Sequence, residues 1–116
     1  LTRDELLAMD QATHTITITC TEGWSTTQRW TGVRLADLAR LVNARQGAML
    51  GAWSIESDHG ASFVESQFMD DRALLALRVN GVDLSPDHGY PARVIVPNVP
   101  GTHNTKWVRE LRFEAA

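Results

Sequence analysis

The sequence predicts an α+β domain, a mixed β-sheet with short helices. Three observations carry that prediction. An alternating threonine–isoleucine run reads as a strand. A segment with leucines spaced by three and four reads as an amphipathic helix. The rest of the chain is mostly β-branched runs separated by glycine- and proline-rich turns.

The elements follow in order. Residues 2–9, "TRDELLAM", predict a short helix, with Thr2 as N-cap and Glu5 three residues on, the spacing of a capping box. Leu6, Leu7 and Met9 supply its apolar side. In "THTITITCTEG", His14, Ile16, Ile18 and Cys20 alternate with Thr13, Thr15, Thr17 and Thr19, which predicts a strand with the isoleucines turned to the core. "WSTTQRWTGV" is polar enough to read as a loop. "RLADLARLVNA" is the amphipathic helix, with Leu35, Leu38, Leu41 and Val42 on its apolar face. "AWSIES" reads as a short strand and "DHGASF" as a turn around Gly60. "DDRALLALRVNGVDL" is an apolar run closed by a hairpin at Asn80-Gly81. "SPDHGYP" is a polar loop, "ARVIVPNV" a strand that Pro97 ends or confines to an edge, "PGTHNT" a loop, and "KWVRELRFE" a closing strand, with a helix as the alternative for its first half.

Composition narrows the function. The 116 residues suit one domain over 1–116, and 43% apolar with 22% charged residues is an ordinary globular balance. A net charge of −3 lacks the basic footprint of a nucleic-acid binder. No apolar run approaches the ~18 residues of a membrane span, and the start does not read as a signal peptide. One cysteine forms no internal disulfide and builds no zinc site alone. His14, His59, His88 and His103 lack the tight spacing of a metal motif.

Three loops could carry chemistry: residues 20–29, residues 57–62, and residues 87–106. The last holds His88, Arg93, His103 and Lys106, with Gly89 and Gly101 permitting close backbone approach to a ligand. Histidine, arginine and lysine in one segment suit an anion such as a phosphate. The plainer reading is solvated loop charges and turn glycines. Cys20, read alone, is a small apolar filler. Glu22 and Asp58 are single loop carboxylates, weak candidates for acid–base work; His14 and His59 read as structural or solvent-facing.

Taken together, "TITCTEGWSTTQRWTGVRLADL", "ESDHGASF" and "LALRVNGVDLSPDHGYPARVIVPNVPGTHNTKWVREL" resemble the molybdopterin-binding oxidoreductase domain of the sulfite oxidase family, which includes the bacterial methionine-sulfoxide reductase catalytic subunit. The resemblance rests on the joint order of a cysteine before E-G-W-S, then W-x-G-V-x-L, N-G-x-x-L, H-G-Y-P-x-R-V-x-V-P and K-W-V. It implies a sulfite-oxidase-type fold and a molybdenum–molybdopterin cofactor. It implies that Cys20 is the one protein ligand of the metal, a soft thiolate donor, with the pterin dithiolene supplying two further sulfurs. His88, Arg93, Thr105 and Lys106 look like the family's cofactor contacts, with Arg93 and Lys106 neutralising phosphate and His88 hydrogen-bonding the pterin. His103 is a further, weaker candidate. The implied reaction is oxygen-atom transfer to or from a small sulfur or other oxo-substrate. The implied electron partner is a haem protein, membrane-bound or fused, and the implied location is extracytoplasmic.

The chain departs from the family pattern in two ways. The family domain begins well before the equivalent of Leu1, so the resemblance predicts an N-terminally truncated piece of a longer chain, one that by itself carries no molybdenum and can be inactive. The dimerisation domain of animal and plant sulfite oxidases is not in it either. Glu22, two residues after Cys20, would repel a sulfite dianion by about 1 kcal/mol or more, which favours neutral oxo-substrates such as sulfoxides. A cofactor-free binding or assembly module that keeps the fold is the competing expectation, and an ordinary domain with Cys20 as filler is the third.

Overall fold

The computed structural model describes residues 2–19, 25–55, 60–97 and 104–114. Helix α1 (Arg3–Ala8) leads into the hairpin β1 (Ala12–Thr19) and β2 (Ser25–Arg34). Helix α2 (Leu35–Leu41), strands β3 (Met49–Ser54) and β4 (Gly60–Phe63) and helix α3 (Glu65–Phe68) follow. Then come β5 (Leu74–Val79), β6 (Val82–Asp83), a single 3₁₀ turn (Pro86–His88), β7 (Arg93–Ile95) and β8 (Val108–Glu114). One sheet runs β1-β2-β5-β6, with β7 also on β5; the other runs β4-β3-β8. No helix among the described residues is long and apolar enough to cross a membrane.

Local chemistry accounts for most of these elements. The Thr2 hydroxyl accepts from the Glu5 amide at 3.1 Å, and the Glu5 carboxylate accepts from the Thr2 amide at 2.9 Å, so the capping box of α1 closes. The Thr2 backbone amide, the larger effect, and its hydroxyl hold the Glu5 carboxyl below its usual range. Ile16 and Ile18 are buried while Thr13, Thr15 and Thr17 face out, as the alternation predicts. At the Asn80-Gly81 turn both residues have positive φ, 52° and 85°, which is why a two-residue hairpin selects this pair.

The segment read as a loop is instead strand β2. Thr27, Arg29 and Thr31 stand on the outer face of a hairpin, where Thr27 and Thr31 share hydrogen bonds with Thr17 and Thr13 at 2.6 and 2.8 Å, while Gln28 is half-buried and Trp30 buried on the inner face. Counting polar residues hid a period of two. Gly32 lets β2 approach β5: a Cβ there would lie 2.0 Å from the Leu75 carbonyl oxygen. Likewise Gly60 begins β4 rather than centring a turn, paired with Trp53. Helix α3 was not foreseen in the sequence; at four residues it is too short for a periodicity to register.

The closing strand carries one irregularity. Between Trp53 and Ser54 the β3–β8 register shifts, so that Trp53 faces Glu110 while Ser54 faces Val108. The extra residue on β8 reverses the alternation. Val108 therefore points inward along with Leu111 and Phe113, although the three do not share a parity. The main core gathers Val33, Leu35, Leu50, Phe63, Phe68, Leu77 and Val94 between the two sheets and α2. A second cluster, with Ile16, Ile18, Trp30, Leu74 and Ile95, covers the opposite face of the larger sheet. Each such side chain contributes about 1.5–3 kcal/mol by leaving water.

Candidate functional site

The functional candidates converge where the 3₁₀ turn, β7 and the segment entering β8 meet. Ser85 caps the turn: its hydroxyl accepts from the His88 amide at 3.2 Å and lies 2.9 Å from His88 Nδ1. The turn ends at Gly89, in the left-handed region with φ 116°. The following chain is then clamped to residues 104–108. The Trp107 amide donates to the Gly89 carbonyl at 3.2 Å, the Val94 amide to Thr105 at 2.9 Å, and the Val108 amide to Ala92 at 2.9 Å. The Trp107 indole donates to the Pro86 carbonyl at 2.6 Å.

These clamps bring Arg93 and Lys106 together at Gly89. A Cβ added to Gly89 would sit 3.2 Å from the Cβ atoms of both. The glycine thus lets the backbone carrying two cationic residues pack closely against the turn. Arg93 is only 9% exposed. Its Nε donates to the Asn104 carbonyl at 3.2 Å, and its guanidinium lies 5.3 Å from the Trp30 ring centre. A guanidinium keeps its charge at any accessible pH, so burying it demands compensation. A carbonyl and an aromatic face supply part of that; an anionic ligand suits the same position. Thr105 is buried beside it, and Lys106 Nζ lies 5.5 Å from the Trp107 ring.

Of the sequence-predicted site residues, His88, Arg93, Thr105 and Lys106 therefore share one neighbourhood, each next to Gly89 or Arg93 in the chain or across a backbone clamp. Cys20, His103, Glu22, Asp58 and His59 lie outside the described residues. His14 is half-buried on β1, opposite Trp30. Among the described residues no group of three or more histidine, cysteine, aspartate or glutamate side chains could hold a metal ion.

Sequence reasoning missed two participants. Asn104, 3% exposed, accepts from the Val96 amide through Oδ1 at 2.7 Å while its carbonyl holds Arg93. Its place beside Thr105 and Lys106 was the available signal. Trp30 was hidden in the stretch read as a loop.

A concavity of about 400 Å³ lies between α2 and β8. Leu38, Leu41, Val42, Leu75, Leu77 and Phe113 line it, and none of His88, Arg93, Thr105 and Lys106 does. It also corrects the reading of α2. Leu35 and Leu38 are buried, but Leu41 and Val42 are 53% and 58% exposed at its rim.

Residues 1–116 match the family model described as the oxidoreductase molybdopterin binding domain. The chain is 34% identical to the NADPH nitrate reductase of Aspergillus niger, over 94% of this chain and 16% of that protein. It is 36% identical to the mitochondrial sulfite oxidase of Rattus norvegicus, over 80% of this chain and 19% of that protein. The crystal structure of the sulfane dehydrogenase SoxCD from Paracoccus pantotrophus superposes on all of this chain and 35% of its own, with a TM-score of 0.90 and 29% identity. The chain thus spans only a minor part of the length of these relatives.

Proposed function

The chain belongs to the oxidoreductase molybdopterin-binding domain family, a family of molybdenum-cofactor oxidoreductases, and from that premise we propose that residues 1–116 form the domain of a longer protein that holds the molybdopterin for oxygen-atom transfer. The observation that supports this most directly is the meeting of Arg93 and Lys106 at Gly89. A buried guanidinium and a lysine carried on backbone that meets at this glycine fit a phosphate-bearing ligand in donor chemistry.

In this reading Arg93 and Lys106 neutralise the phosphate of the cofactor. The Thr105 hydroxyl contacts the cofactor, the His88 imidazole hydrogen-bonds the pterin, and His103 adds a further contact. Asn104 keeps the Arg93 guanidinium in place through its carbonyl. Cys20, which follows β1 in the chain, ligates the metal through its thiolate. When bound, the cofactor supplies a two-electron centre for moving an oxygen atom to or from a small sulfur or other oxo-substrate; the protein contributes orientation and electrostatics. Glu22 disfavours anionic substrates and favours neutral ones such as sulfoxides. A haem protein, separate or fused, exchanges the electrons. The alternative is a cofactor-free binding or assembly module with the same fold.

The test is metal and pterin analysis of the full-length protein from a host that makes the cofactor. Stoichiometric molybdenum, with pterin fluorescence after oxidation, is the expected result. Cys20→Ser should lose the molybdenum and all activity while changing folding stability by under about 0.5 kcal/mol. Metal-free protein from such a host would overturn the proposal in favour of the binding module.

A further inference from the structure

We propose that Trp107 is a positioning residue of this site: its ring docks on the 3₁₀ turn and holds the Lys106 ammonium group there for an anionic oxygen of the cofactor. The inference rests on the reading of Lys106 as a cofactor contact and deepens it.

The first observation is a strained backbone. Trp107 has φ 52°, in the left-handed region, where a bulky residue is an outlier. Among the described residues only two other non-glycine positions share this conformation, and both are asparagines, Asn43 and Asn80, a residue type that enters it readily. At Trp107 the chain passes from the turn before β7 to the end of β3. Its amide donates to the Gly89 carbonyl at 3.2 Å, and its carbonyl accepts from the Ile55 amide at 2.7 Å. A glycine or an asparagine would make the same crossing with less strain. The tryptophan is therefore to be explained by its side chain.

The second observation is what that side chain touches. Its Nε1 donates to the Pro86 carbonyl at 2.6 Å, which ties the ring to the turn that ends in His88 and Gly89. Lys106 Nζ lies 5.5 Å from the ring centre. Among the described residues no hydrogen bond or ion pair holds that ammonium group, so the ring is what restrains it. Lys106 and Trp107 are both only partly buried, so a ligand can approach them. A lysine stem is flexible, and restricting it in advance reduces the entropy lost when an anion binds. The bond to Pro86 alone would suit a tryptophan that only packs. The lysine over its ring is what a packing role leaves unexplained.

The experiment is a double-mutant cycle in the full-length protein from a cofactor-producing host. Trp107→Asn and Trp107→Phe are each made in the wild type and in Lys106→Met. The readout is the rate at which pterin leaves the protein on dilution, followed as fluorescence of the oxidised pterin in the filtrate. Lys106→Met should release it about tenfold faster, the scale of a hydrogen bond to a charged group. Trp107→Asn tolerates the backbone but has no ring, and should release it about two- to fivefold faster, the scale of a partly exposed cation–π contact. Trp107→Phe keeps a ring without the bond to Pro86, folds if Trp107→Asn does not, and should fall between. In the Lys106→Met background both effects should vanish. Equal release from wild type and both Trp107 variants overturns this inference alone. So does the same fold-change in both backgrounds, because the role is then packing. A Lys106→Met protein that releases pterin at the wild-type rate removes Lys106 from the site and this inference with it. A wild type devoid of molybdenum and pterin overturns the cofactor site and this inference together.

Discussion

The Arg93 neighbourhood and the cleft between α2 and β8 are opposites. The cleft is roomy, apolar and bordered by exposed Leu41 and Val42. The Arg93 neighbourhood is tight, and its polar side chains Arg93, Asn104 and Thr105 are buried. By volume the cleft would be the ligand site. By energetics it is the less telling of the two. Exposed leucines and valines are common on folded proteins and need no ligand to explain them. A buried guanidinium must be compensated by the groups around it, the Asn104 carbonyl and the Trp30 ring among them. The difference teaches that, in this chain, a buried charge among buried polar neighbours marks a candidate site better than empty space does.

Breaking the polar side first should have the largest effect. Asn104→Ala removes the acceptor of the buried Val96 amide. It should cost about 2 kcal/mol, read as a lower urea midpoint with an unchanged slope, and should lower molybdenum content in the full-length protein. Gly89→Ala places a side chain at φ 116°, against Arg93 and Lys106. It should cost about 1–2 kcal/mol and weaken cofactor retention by more than its stability loss explains. A Gly89→Ala protein that loads normally would break the link between this glycine and the site.

An exposed ion pair at the edge of the cleft tests whether charge matters only where it is buried. Arg3 donates to Asp83 at 3.0 Å, which is the main reason the Asp83 carboxyl titrates below its usual range, with Arg78 adding to it. A depressed carboxyl stabilises the fold above its unfolded pKa of about 3.9 and loses that contribution as pH falls through the lower folded value. Asp83→Asn should therefore lower the thermal midpoint slightly at neutral pH, and the gap should close in acid. A gap that is independent of pH would mean the ion pair contributes nothing. Smallest of all, Leu41→Ser at the cleft rim should change stability by less than about 0.5 kcal/mol and leave molybdenum content untouched. Loss of cofactor in that variant would show the cleft belongs to the site and would undo the contrast.

Much of this was legible in residue order alone. The capping box at Thr2 and Glu5, the Ile16–Ile18 face, and the Asn80-Gly81 turn are local devices, fixed by neighbours a few positions away. The candidate cations Arg93 and Lys106 were also visible, because charged residues near turn glycines stand out in any reading. What residue order could not supply was partnership across distance. Strand β2 is recognisable only once Thr27 and Thr31 meet Thr17 and Thr13. The β8 bulge exists only in its pairing with β3. Trp30 reaches Arg93 only through the packing of β2 on β5 and β7. Local propensity determines which short elements form. The burial of one element by another decides which side chains meet, because only the tertiary structure removes water from both at once.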